Sequence, residues 1–176
     1  MTITWDEYFF GIADAVAKKS HCLSRQVGAV AVLYGKFVVA TGYNGPPAGY
    51  PHCDTLVALE RLARVVGGGE KTRRKLLDES GCPRRNLGYV SGQGLELCPA
   101  AHAERNVLIE AARLGITLEG CVLYLTCSWP CRECAKEMVN AGIVEVVVTG
   151  DEEYMVGGLT GRDILGACGV QVRIGR

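Results

Sequence analysis

Three things are scarce in this sequence of 176 residues: aromatic side chains, net charge and long apolar runs. Aromatics make up 7% of the chain, so its core has to be mostly aliphatic. Lys plus Arg and Asp plus Glu balance at 19 each. Such a chain lacks the cationic surplus that neutralises the phosphates of long nucleic acid, although one or two placed cations suffice for a small anion. No apolar run approaches the length of a membrane span, and the first residues hold no basic stretch followed by an apolar one. The expectation is a soluble, cytoplasmic protein with neither a membrane nor long nucleic acid as partner. Cysteine, by contrast, is abundant, at nine residues. Without an export signal, metal ligation or catalysis explains thiols better than disulfides do, and an odd number cannot pair completely within the chain.

The length suits one domain, 1–176, able to bury a sizeable core. Trp5 to Lys19 reads as an amphipathic helix with Tyr8, Ile12, Ala15 and Val16 recurring at helical spacing. Val27 to Leu33 and Lys36 to Tyr43, parted by Tyr34-Gly35, read as a β-hairpin. Asn44 to Pro51, with three prolines and two glycines, is a loop. Helices are expected over 56–66 and 70–79, separated by Gly67-Gly68-Gly69, and irregular chain over 81–94. Next come a helix over 102–114 closed by Gly115, a strand over 121–126, a helix over 131–141 closed by Gly142 and a strand over 144–149. A short helix over 163–167 and a strand over 170–174 finish the chain. Strands alternating with helices imply an α/β sheet that is parallel in its later part, and 54–97 is the one candidate insertion.

The chemistry concentrates in two short motifs. In Pro130-Cys131-Arg132-Glu133-Cys134, two cysteines three apart on a helix face the same way and can reach one metal. Proline at the first helical position would put both thiols in the first turn, where the helix dipole favours thiolate. In His102-Ala103-Glu104, at the start of the other helix, histidine supplies a third ligand. Three protein ligands leave a fourth position open, as catalytic zinc sites do. Alone, Cys-x-x-Cys serves equally in a structural zinc site or a redox dithiol, and His-x-Glu is common. Together and in this order they match the signature of zinc-dependent nucleobase deaminases, in which the Glu moves protons without binding the metal. That role falls to Glu104.

Beyond these motifs, the chain resembles the deoxycytidylate (dCMP) deaminase group of the cytidine deaminase-like superfamily. The resemblance runs through Thr4 to Phe9, Arg25 to Val30, Gly42-Tyr43-Asn44-Gly45-Pro46-Pro47-Ala48-Gly49, Ser91-Gly92, Glu96 to Cys98, His102 to Asn106 and Pro130 to Ile143. It implies a three-layer fold, a mixed five-stranded sheet with helices on both faces, and zinc-dependent hydrolysis of dCMP to dUMP and ammonia. Asn44 is the expected sugar contact, unless it merely makes a turn. Arg25 is the expected phosphate contact, because its fork matches phosphate oxygens. Ala103, Ser128 and Trp129 are placed at the base, where Trp129 either stacks or packs. Tyr154 is a candidate to cover the base and Arg162 a candidate phosphate contact, although 151–162 is more Gly-rich and acidic than the family pattern. The resemblance also implies a second, structural zinc near Cys22, Cys53 and Cys98, with Cys82, His52 or His21 as fourth ligand. Cys121, Cys127 and Cys168 are read as core. A homo-oligomer, dimer or hexamer, acting on a small nucleotide completes the expectation.

Overall fold

The computed structural model describes residues 2–78, 81–90, 92–152 and 158–176. The elements follow the order α1 (Trp5–Ala17), β1 (Gly28–Leu33), β2 (Phe37–Tyr43), α2 (Leu56–Val66), α3 (Gly69–Asp78), α4 (Pro83–Asn86), a 3-10 turn (Leu95–Leu97), α5 (Ala103–Leu114), β3 (Val122–Leu125), α6 (Arg132–Asn140), β4 (Glu145–Val148), α7 (Gly161–Ala167) and β5 (Gln171–Ile174). The five strands form one mixed sheet in the order β2-β1-β3-β4-β5. β1 runs antiparallel to β2 and β3, while β3, β4 and β5 are mutually parallel, as the helix-strand alternation requires. Tyr34 and Gly35 both take positive φ, 53° and 65°, the pattern of a tight type I′ hairpin turn.

Alternation along the strands divides the core between the two faces. On one face Val30, Val32, Tyr124 and Val147 pack against α1. On the other, Ala29, Ala31, Leu123, Leu125, Val146 and Val148 pack against α5, α6 and α7 through Val107, Ala111, Ala135, Met138 and Leu165. This is the expected three-layer arrangement. Two glycines set how close the layers come. A Cβ on Gly28 would collide with the Ala13 carbonyl oxygen of α1, and one on Gly42 would lie 2.6 Å from the Ala103 oxygen and the Val107 nitrogen of α5.

The core is mostly aliphatic, as expected, with its buried aromatics gathered on the first face. There Ile12 and Val16 of the helix stripe pack as expected, and the rest of the stripe is corrected. α1 buries Phe9, Phe10, Ala13 and Ala17, whereas Tyr8 is exposed and Ala15 faces solvent. Phe9 and Phe10 meet Tyr124 with ring centroids 5.0 and 5.5 Å apart. The sheet selects this stripe because Tyr124 offers an aromatic partner whose hydroxyl donates to Asp6 at the head of the same helix, at 2.8 Å. Arg173 of β5 grips the same Asp6 carboxylate with both Nη atoms and reaches Glu145 with Nε.

Three smaller expectations are also corrected. Pro130 lies outside α6, and Cys131 is its N-cap. The stretch 81–94 contains a short helix, α4, capped by Cys82 with Pro83 at its start. Cys121 and Cys127 are buried, but Cys168, at the end of α7, is exposed. No helix of the described residues is long and apolar enough to cross a membrane.

Candidate active site

The two motifs meet because both helices begin at the same end of the sheet. His102 is the N-cap of α5 with extended backbone, Cys131 is the N-cap of α6, and Cys134 lies one turn in. Neither cap uses its side chain on its helix, so both are free for something else. Backbone pairing of Gly45 with Ala101 clamps the approach to His102 onto the loop after β2. Asn106 adds a hydrogen bond from Nδ2 to the Tyr43 carbonyl at 2.7 Å. Arg105 of α5 and Glu137 of α6 form a two-armed ion pair at 2.9 and 2.6 Å, tying together the helices that carry the ligands.

The resulting triad fits zinc. His102 Nδ1 lies 3.5 Å from the sulfur of Cys131 and 3.5 Å from that of Cys134, and all three ligand atoms lie within 4.8 Å of one another. With zinc bonds of about 2.3 Å to sulfur and about 2.0 Å to nitrogen, a tetrahedral angle separates S and N by about 3.5 Å. The thiols are also electrically prepared. A hydrogen bond from Cys134, aided by His102, holds the pKa of Cys131 well below the usual thiol value. Cys134 is pushed up because it donates to Cys131 and is buried. A dication would deprotonate both outright.

Glu104, the second residue of α5, is 4% exposed. Burial pushes its carboxyl above the ordinary carboxylate range, while the charge of His102 pulls the other way. A carboxyl poised towards neutrality beside a metal triad is what a proton carrier needs.

Above the triad lies a cavity of about 180 Å³. Of the sequence-predicted site residues, His102, Ala103, Glu104, Cys131, Asn44, Arg25 and Trp129 line it, and so do Cys22 and Cys98 of the candidate structural-zinc set. Cys134 stands behind, as a buried ligand. Ser128 is next to the wall without being among the lining residues, and Tyr154 lies outside the described residues. Asn44 also has a job within the chain. Its Oδ1 accepts from the Val27 N–H at 2.8 Å and its Nδ2 donates to the Arg25 carbonyl at 2.9 Å, fixing the loop that presents Arg25. Trp129 both lines the cavity and packs. Its indole N–H donates to Asp151 at 3.0 Å and the Arg162 guanidinium sits 4.6 Å from its ring centroid. Arg162 therefore braces the wall instead of lining the cavity.

The four remaining candidate thiols share one neighbourhood. Burial first, then the charges of Cys98, Cys22 and Cys82, raises the Cys53 pKa to about 12. The rings of His21 and His52 lie nearby, 4.4 Å apart and tilted by 31°, and His52 Nδ1 is buried without a partner among the described residues. Among the described residues, however, only His102, Cys131 and Cys134 have at least three ligand atoms within mutual metal-binding reach. Sequence reading missed Arg84 and Arg85, both of which line the main cavity. The one available signal was the Cys82-Pro83 helix start, which is easily passed over ahead of four helical residues.

Comparison with known proteins agrees with this geometry. The chain is 37% identical over 148 residues to the deoxycytidylate deaminase of Mycobacterium phage D29, covering 81% of this chain and 92% of that one. It is 35% identical over 170 residues to the deoxycytidylate deaminase of Schizosaccharomyces pombe, covering 97% of this chain but only 44% of the yeast protein. The crystal structure of a cyanophage S-TIM5 dCMP deaminase in complex with dCMP and dUMP superposes with a TM-score of 0.65 at 25% identity, over 99% of this chain and 98% of the other. The pattern of the cytidine and deoxycytidylate deaminase zinc-binding region matches residues 3–150, and the chain belongs to that family.

Proposed function

We propose that the protein hydrolyses dCMP to dUMP and ammonia. The observation that carries this reading is the His102, Cys131 and Cys134 triad beside buried Glu104 at the floor of one cavity. Its similarity to proteins named deoxycytidylate deaminase supports the substrate.

In this reading, zinc held by the triad supplies a Lewis acid that lowers the pKa of water from about 15.7 towards about 7. Glu104 takes the proton of the attacking water, delivers one to the ring nitrogen beside the carbon under attack, and helps protonate the departing amine. Water gives its oxygen to that carbon, the C–N bond breaks, and the nitrogen leaves as ammonia. Backbone groups at Ala103, Ser128 and Trp129 orient the base, Asn44 meets the sugar and Arg25 the phosphate. Tyr154 is assigned to cover the base. A structural zinc among Cys22, Cys53, Cys82 and Cys98 would draw those thiols together and pin 54–97, as an insertion, to a single deaminase domain. Assembly as a homo-oligomer in the cytoplasm belongs to the same reading.

The test combines metal analysis with a substrate panel. One zinc per chain is expected for the triad alone and two with the thiol site. Ammonia release should be seen with dCMP and be weaker with CMP and deoxycytidine. Glu104→Gln should keep its zinc and lose about 10²–10⁴-fold in turnover. Activity only on a tRNA anticodon stem would overturn the substrate class, and unchanged turnover by the variant would overturn the mechanism.

A further inference from the structure

The metal triad and its cavity leave the Gly-rich stretch 151–162 with little to do, yet its last glycine, Gly161, opens α7 and is buried. Gly161 does not take positive φ, so backbone freedom is not what the position uses. What it uses is space. A Cβ on Gly161 would collide with the Pro130 carbonyl oxygen, and would lie 3.0 Å from the Pro130 carbonyl carbon and 3.3 Å from that of Cys131. These are backbone atoms of the chain entering α6, where Cys131 is both the N-cap and a metal ligand. The close glycines Gly28 and Gly42 press instead on α1 and α5, at residues that bind no metal. Gly166, on the same α7, is exposed, and a Cβ there would meet nothing within 4 Å.

The start of α7 is itself fixed. Thr160 Oγ1 accepts from the Asp163 N–H at 3.2 Å, and the Asp163 carboxylate accepts from the Thr160 N–H at 2.8 Å, a capping box. Leu165, one turn further on, is buried in the core beside the sheet. Arg162, next to Gly161, lies 4.6 Å from the Trp129 ring centroid and 3.6 Å from Asp151. Asp151 also accepts the Trp129 indole N–H, and the Glu152 carbonyl accepts the Trp129 backbone N–H at 3.3 Å. The run Trp129-Pro130-Cys131 is thus held by 151–152 through hydrogen bonds and by the start of α7 through contact.

We infer that the start of α7 is a buttress for the metal site, and that Gly161 is a positioning residue: it seats α7 against the Pro130 carbonyl and so fixes where the Cys131 sulfur stands relative to His102 and Cys134. Cys131 needs such a support. It precedes the helix, so α6 restrains its backbone only through the bond from the Ala135 N–H to its carbonyl, at 2.9 Å. Its sulfur must nevertheless stay at the 3.5 Å from His102 Nδ1 that suits a shared metal. Groups that hold a ligand without touching the metal tune its binding. The inference rests on the metal triad of the deaminase reading and is independent of which nucleotide is the substrate.

The experiment compares wild type, Gly161→Ala and Gly166→Ala, each loaded with Zn²⁺ or with Co²⁺. Cys131→Ser, which lacks one ligand sulfur, identifies the zinc and the cobalt bands that belong to the triad. Competition with a chromophoric chelator should show triad zinc bound about 10–100-fold more weakly by Gly161→Ala. The visible bands of the Co²⁺ protein report ligand type and geometry, and they should shift in the same variant. Gly166→Ala adds the same methyl to the same helix in open space, and should match wild type in both readouts. A Gly161→Ala protein that loses thermal stability but keeps wild-type zinc affinity and cobalt bands would show that Gly161 only packs, and would overturn the buttress. So would an equal loss of zinc affinity in Gly166→Ala. If Gly161→Ala does not fold, Thr160→Ala loosens the same helix start by removing its cap, and should weaken triad zinc about threefold to tenfold. Unchanged affinity in that variant overturns the buttress as well. Wild type that took up neither metal at the triad would overturn the deaminase reading together with the buttress, whereas normal uptake left unaltered by Gly161→Ala overturns the buttress alone.

Discussion

The segment from β2 to α5 and the metal-bearing half from α5 to α6 are built on opposite terms. α5 and α6 bury Val107, Ala111, Ala135 and Met138 at 0–1% exposure against the sheet, and an ion pair between Arg105 and Glu137 ties them together. α2 buries only Ala58, and α3 only Leu76 among its described side chains. At the junction of these two helices Gly67, Gly68 and Gly69, the last of them the first residue of α3, all take positive φ. The parts that must hold three ligand atoms to within tenths of an ångström stand on the rigid scaffold. The parts that line the cavity with arginines hang on few buried contacts. Metal ligation needs fixed geometry, whereas a cavity wall can be built with more freedom.

That contrast can be broken from either side. The largest effect is expected from Leu76→Ala, which removes the one fully buried side chain described in α3 and should cost about 2–5 kcal/mol of local stability. Limited proteolysis should then cut at Gly67 to Gly69, while zinc stays on His102, Cys131 and Cys134. Simultaneous loss of that zinc would mean that the two regions unfold as one. Gly42→Ala attacks the other side. Its Cβ would press on Ala103 and Val107 of α5, and the expected cost is about 1–3 kcal/mol, or several degrees in Tm. Here zinc should leave more readily to a chelator, with no new cleavage at the glycines.

The smallest effect concerns acid. The Arg173 hydrogen bonds hold the Asp6 carboxyl below its ordinary value of 3.8, against a partial opposing effect of burial. The unfolded chain therefore binds this proton more readily, and stability rises with pH through that window. The contribution is complete above the unfolded value and is lost as pH falls through the lowered one. The pair is partly exposed, so Asp6→Asn should cost less than about 1 kcal/mol at pH 7 and nothing measurable at low pH. Urea denaturation at the two pH values gives the comparison, and an equal cost at both would show that charge is not the cause.

How much could be read in advance varied with the range of the interactions involved. The metal ligands were legible because each sits at or just inside a helix start, where Pro130, the Cys spacing and His-x-Glu are local signals. The strand directions followed from the alternation of elements. The α1 stripe is legible only in part: Ile12 and Val16 pack as expected, but Tyr8 and Ala15 give way to Phe9, Phe10 and Ala13, because the sequence of the helix alone does not say which side Tyr124 and Gly28 will accept. Asn44 was identified as important, but its bonds to Val27 and Arg25 cross 17 and 19 residues and leave no local mark.

The sequence by itself determined the family and the metal triad, since His102, Cys131 and Cys134 carry their ligand character in residue type and spacing. Only the tertiary structure decided what surrounds that chemistry. It buried Glu104, drew four distant cysteines into one neighbourhood without closing them to ligand distance, and brought Arg84 and Arg85 to a cavity whose floor lies many residues further along the chain. Ligand spacing is a short-range property of helix geometry, but burial and unmatched charge exist only once distant segments pack.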